Sequence, residues 1–166
     1  GVALIRISGD RAVELAEKVF RPAGTKTLRD VEARRQVYGR IYAPDAKGHI
    51  EMIDDGMATV FYAPASFTGE DTVEITCHGG RLITKCVLEA ILAAGARPAE
   101  AGEFTRRAYV NGRLTLTEAE AVGDLLEAKS REQIRLSSAA SRTRLSGAIA
   151  EIRGTLTELL SSTFAR

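Results

Sequence analysis

Beyond Thr117 the chain contains no proline, and its glycines there are Gly123, Gly147 and Gly154 alone. Across that stretch Leu145, Ile149, Ile152, Leu156 and Leu159 step by four, three, four and three residues, a heptad-like apolar seam. A strand alternates with period two and cannot use such spacing, whereas a helix can. Residues 117–166 are therefore expected to be one or two long helices, opened by a capping box at Thr117-Glu-Ala-Glu120. A long helix cannot leave such a stripe in water, and nothing upstream reads as its partner. The seam predicts packing on further chain, on another subunit, or on the helix's own first half after a bend. With Gly1 in place of an initiating Met, the chain is expected to be a piece of a longer protein.

Residues 1–116 have a different character. Val2 to Ser8 reads as a buried strand, and Ser8-Gly9-Asp10 as a turn with the N-cap of a helix running from Asp10 to Phe20. Gln36 to Ala43 and Met52 to Ala63 read as a hairpin, with Thr72 to Cys77 as a third strand. Arg81 to Ala94 is apolar at helical spacing, and Gly95 suits its left-handed C-terminal position. A short helix from Glu103 to Val110 ends at the Asn111-Gly112 turn. The expected class is α+β: a sheet domain over 1–116 with a mixed or antiparallel sheet, then helices over 117–166.

Composition excludes several functions. Aromatics make up 5% of the residues and tryptophan is absent, so a stacking platform for single-stranded nucleic acid is not expected. The net charge of +1 forces no nucleic-acid partner. The basic set Arg131, Arg135, Arg142, Arg144 and Arg153 reads as a solvated helix face. Cys77 and Cys86 have neither disulfide-framework nor zinc-ligand spacing, so no metal is expected and both thiols read as reduced, as in a cytoplasmic protein. No apolar run has the roughly 20 residues of a membrane helix, and no segment reads as a signal peptide, so none is expected. Gly24-Thr25-Lys26-Thr27 lacks the spacing of a phosphate-binding P-loop.

Two loops carry more chemistry than connectors need: Ser66 to Gly80 and Ala99 to Leu114. Cys77 and His78 are adjacent on a strand and point to opposite faces, so they make a poor nucleophile–base pair, and Cys77 reads as core. His49 reads as solvated. His78-Gly79-Gly80 precedes a helix and is either an anion-meeting turn or a tight strand-to-helix connection. Glu70 and Asp71 either cap their turn or face a pocket. If Val73 and Ile75 point into the core, Glu74 faces the other way and can accept two N–H donors from a planar heterocycle. Arg6, mid-strand among Leu4, Ile5 and Ile7, is either paired or functional, or snorkels at a sheet edge. Arg106, Arg107 and Arg113 add cations near the second loop.

The segments Gly1–Gly9, Ala65–Glu74, His78–Gly80, Gly102–Leu114 and Leu116–Val122 closely resemble the N-terminal domain of the TrmE (MnmE) family of tRNA-modification GTPases, in order and over essentially the whole chain. The resemblance implies a fold similar to the folate-binding domain of glycine-cleavage T-protein relatives. It implies binding of a tetrahydrofolate one-carbon derivative, 5-formyl- or 5,10-methylene-tetrahydrofolate, and homodimerisation. Carried over residue by residue, the folate contacts are Arg6, Glu74 and Arg113, the last where the family often has lysine. His78, Gly79, Gly80 and Asn111 are candidate pocket wall. In that family the whole protein works with the FAD protein MnmG, which also brings NADH, to place an aminomethyl-type group on the wobble uridine of tRNA. Its G domain uses GTP, magnesium and potassium. The P-loop, the guanine-reading motif and the C-terminal cysteine motif are missing here, so no catalytic residue and no GTP hydrolysis are expected of this piece. A stand-alone folate-dependent transferase and a helical interaction module remain as alternatives.

Overall fold

The computed structural model describes residues 1–45, 47–140, 151–158 and 160. They cluster into two compact units, 1–104 and 105–166; the sequence reading places its own boundary, the change to helix, at Leu116.

The first unit is built on a five-stranded sheet of β1 (Val2–Ser8), β2 (Phe20–Pro22), β3 (Gln36–Pro44), β4 (Ile50–Phe61) and β5 (Thr72–His78). The order across the sheet is β1-β5-β4-β3-β2, and every pairing is antiparallel. The class is α+β, with no parallel pair among these strands. Helices α1 (Ala12–Val19) and α2 (Arg81–Ala93) pack on one face of this sheet. Period-two alternation explains the arrangement. Ile7, Ile41, Ala58, Val60, Val73, Ile75 and Cys77 point towards the helices and are buried with Val13, Val19, Phe20, Val87 and Ile91. Cys77 is thus core, as its position on the strand predicts. Arg6, Met57, Thr59, Glu74, Thr76 and His78, interleaved with those core residues, take the opposite face.

Two local expectations are corrected. β1 is an edge strand rather than a buried one, with Val2 75% and Leu4 53% exposed; its apolar run carries one buried row and one open row. Helix α1 starts at Ala12, after Arg11, with no side-chain cap from Ser8 or Asp10. By contrast α2 ends as read: Gly95 adopts φ 117°, and the Gly95 and Ala96 amides return to the Leu92 and Ile91 carbonyls.

Helix α3 (Glu103–Val110) begins at the end of the first unit and runs into the Asn111-Gly112 turn of the second, where α4 (Leu116–Glu127) and α5 (Arg131–Ala140) follow. The capping box lies two residues earlier than expected. Thr115 is the N-cap, its hydroxyl accepting from the Glu118 amide while the Glu118 carboxylate accepts from the Thr115 amide. Residues 128–130 break the helix, so a single long helix does not form there. Leu145, Ile149 and Leu159 of the seam, and Arg142 and Arg144 of the basic set, lie outside the described residues. Ile152 and Leu156, in the helical segment 151–158, are exposed. Among the described residues no helix is long and apolar enough to cross a membrane.

Candidate functional site

β5 positions Glu74. Its neighbours Val73 and Ile75 are fully buried, so the carboxylate projects from the helix-free face. The β1–β5 register sets Arg6 directly opposite. The Arg6 Nε donates to Glu74 Oε1 at 2.8 Å, and Nη2 lies 2.6 Å from the same oxygen. Among the described residues, Glu74 Oε2 takes no partner. The guanidinium carbon lies 5.6 Å from the Phe67 ring centroid and 5.8 Å from that of Phe104, within cation–π range. Arg6 is therefore paired, although β1 is an edge. Neither phenylalanine stands out in the sequence; Phe67 comes from the loop between β4 and β5, and Phe104 from the first turn of α3.

A hydroxyl cluster fixes the loop that carries Phe67. Ser8 Oγ lies 2.6 Å from Thr68 Oγ1 and donates to Glu70 Oε2 at 2.9 Å. Thr68 and Thr72 are buried and lie within reach of one another. Asp71 Oδ1 accepts the Ala63 amide at 2.9 Å. Glu70 and Asp71 thus resolve as loop-holding groups rather than pocket-facing ones, and Gly69 turns the loop at φ 79°.

His78 shares the face of Glu74 but lies four residues along β5, about 13 Å away at strand rise. It is held by Asp54, whose Oδ2 accepts the His78 amide at 2.9 Å and whose Oδ1 lies 2.7 Å from Nδ1. Gly79 packs on the start of β1, its amide donating to the Gly1 carbonyl at 2.8 Å. Gly80 is the N-cap of α2. That geometry is a close strand-to-helix connection. His49, with Asp45 at 3.3 Å, is exposed as read.

The hydrogen bond to Asp54, with the charges of Asp54 and Asp55 adding, raises the His78 imidazole above its ordinary 6.5. Burial pushes the Asp54 carboxyl up, but the amide and ring of His78 outweigh it and hold the group below 3.8. A raised histidine contributes stability that is complete below 6.5 and lost as pH rises through the folded value. A depressed aspartate contributes stability present above 3.8 and lost as pH falls through its folded value. The pair therefore supports the fold most fully between those two pH values. Asp54→Asn is expected to lower the His78 titration midpoint followed by NMR; an unmoved midpoint would refute the coupling.

Asn111 and Arg113 sit in the second unit. The Asn111 amide donates to the Arg107 carbonyl at 2.9 Å, Gly112 turns at φ 70°, and the Arg113 amide donates to the Ala108 carbonyl at 2.7 Å. The turn thus ends α3 and holds the Arg113 backbone against it.

A second ion pair went unread in the sequence. Arg97 grips Glu103 through both terminal nitrogens, with Nη1 2.9 Å from Oε2, and the Glu100 amide donates to Oε2 at 2.8 Å. The Glu103 side chain is 2% exposed.

The family model described as the GTP-binding protein TrmE N-terminus matches residues 1–113. Among curated relatives, the tRNA modification GTPase MnmE of Geobacillus kaustophilus is 44% identical over 160 residues, 96% of this chain and 34% of that protein. The MnmE proteins of Symbiobacterium thermophilum and Parabacteroides distasonis are 44% and 42% identical, each over 97% of this chain and 34% of their own length. The chain spans about a third of the length of these relatives. An antiparallel sheet with both helices on one face, an arginine–glutamate pair on the other, and a family match through the Asn111-Gly112-Arg113 turn lead to one assignment: the chain belongs to the TrmE N-terminus family.

Proposed function

We propose that this chain is the tetrahydrofolate-binding and dimerising part of a tRNA-modification GTPase. In this reading the whole protein acts with MnmG to place an aminomethyl-type group on the wobble uridine of tRNA, in the cytoplasm. GTP, magnesium and potassium would be handled by other parts of that protein.

The observation that carries the folate reading is the Arg6–Glu74 pair on the open sheet face, with Phe67 and Phe104 beside it. The residues fit the ligand. Glu74 has an oxygen without a partner among the described residues, and it can accept the ring and amino N–H groups of a pterin. Aromatic rings suit a flat heterocycle. Arg6 can meet its carbonyl or carboxylate groups. Arg113 is proposed as a further cationic contact on the resemblance alone. The folate, when bound, supplies the one-carbon unit; the chain's own residues bind and orient it, and proximity does the rest.

Calorimetry with 5-formyl-tetrahydrofolate tests the reading. Losing the charge-assisted bonds to Glu74 should cost about 2 kcal/mol, roughly 30-fold in affinity. Equal binding by wild type and Glu74→Ala sinks the assignment. The dimer is tested separately by sedimentation at micromolar concentration, where a monomer counts against it.

A further inference from the structure

Asp54 and Asp55 are consecutive residues of β4, and on a regular strand their side chains would point to opposite faces. Here one oxygen of each lies within 4.8 Å of a His78 ring nitrogen, the Asp55 carboxylate also serving as acceptor for the Tyr38 hydroxyl. The β3–β4 ladder slips between Ile41 and Tyr42, which pair with Asp54 and Met52 and leave Ile53 without a cross-strand partner. Just beyond, Gly56 lies so close to β5 that a Cβ on it would stand 1.9 Å from the Thr76 carbonyl oxygen. This irregular stretch brings one ligand atom from each of Asp54, Asp55 and His78 within 4.8 Å of the other two.

The set favours a cation. Two carboxylates face a ring that is neutral when it ligates, and the Asp54 side chain is only 8% exposed, so water screens its charge poorly. An anion there would meet both carboxylates. At present the ring answers Asp54 through Nδ1, at 2.7 Å. One nitrogen with two oxygens suits zinc, manganese and similar divalent transition ions, whereas calcium and magnesium prefer oxygen alone. The ring is 70% exposed, which leaves the outer coordination positions to water or to an incoming ligand.

We propose that Asp54, Asp55 and His78 form a binding site for a divalent transition-metal ion. The cation takes the place of the proton between the His78 Nδ1 and Asp54. That proton moves to Nε2 of a neutral ring, or leaves to solvent from a charged one. The site stands apart from the folate reading, since none of its three residues contacts Arg6 or Glu74 in the structure.

Zinc is the probe, added to metal-free, tag-free chain and followed by calorimetry. The expected result is one zinc per chain. Asp55→Asn leaves the Asp54–His78 hydrogen bond in place and should weaken binding on the order of tenfold or more, as should His78→Gln. His49→Gln should change nothing, because the His49–Asp45 pair has no second carboxylate in the cluster. Wild type without one-to-one binding below millimolar zinc overturns the proposal, as does unchanged binding in Asp55→Asn and His78→Gln together. Should a variant fail to fold, the wild-type ring protons decide: zinc must move the His78 signals first, and earlier movement of His49 overturns the site.

Discussion

Gly56→Ala is expected to be among the most damaging single-methyl additions in the sheet. The added Cβ would stand 1.9 Å from the Thr76 carbonyl oxygen and 3.1 Å from its carbon. These are backbone atoms of the neighbouring strand, so no side chain can rotate away. β4 and β5 must part at the centre of the sheet, where Ala58, Val60, Val73 and Ile75 pack. Overpacking a rigid core costs about 3 kcal/mol or more where the neighbours cannot yield. Gly154→Ala is the control. Among the described residues, nothing beyond its own chain neighbours and helix backbone lies within 4 Å of the added carbon, and the site is helical, so it should be neutral or slightly stabilising. Urea unfolding measures both, and equal midpoints would contradict the close approach.

The second large effect is an asymmetry in the Arg97–Glu103 pair. The Glu103 side chain is 2% exposed whereas that of Arg97 is 62% exposed. Arg97→Ala takes the two-point guanidinium from a buried carboxylate, which costs about 3 kcal/mol. Glu103→Gln removes the charge but keeps an acceptor for the Glu100 amide, and Arg97 keeps its bond to the Pro98 carbonyl at the surface. Its cost should be nearer 1.5 kcal/mol. Thermal unfolding of the two variants should rank them in that order, and the reverse order would place the stabilisation elsewhere.

Local rules made much of this fold legible. Alternation marked β3, helical spacing marked α2 to within a residue, and the Asn111-Gly112 turn marked the end of α3, whereas β4 begins and ends two residues before its reading of Met52 to Ala63. The same alternation assigned Cys77 to the core and Glu74 to the opposite face. What stayed hidden depends on register. Arg6 and Glu74 are 68 residues apart, Ser8 and Thr68 are 60, and Asp54 and His78 are 24, and spacing along the chain does not set such pairings. Two mid-strand acids at Asp54 and Asp55 were a usable signal, since a strand seldom carries adjacent charges without a use for one. The capping box failed for a different reason. Thr115-x-x-Glu118 and Thr117-x-x-Glu120 satisfy the same rule, and only the earlier one lets Leu116 begin the helix. β1 looked buried because its apolar content was read without its place at the sheet's edge.

The Arg6–Glu74 contact has a consequence for selectivity. A carboxylate that already holds a guanidinium has a standing occupant, so a newcomer at Glu74 either trades places with Arg6 or shares the acceptor with it. Where it trades places, the net gain is a difference between two charge-assisted bonds, smaller than either alone; where it shares, it takes Oε2. Simple amines, which offer one donor point, gain little from such a trade. A flat molecule presenting two parallel N–H groups can match the fork it replaces, and a negatively charged tail on the same molecule would engage the released guanidinium. On the proposed folate reading, discrimination at this position would come from competition with Arg6 for the carboxylate.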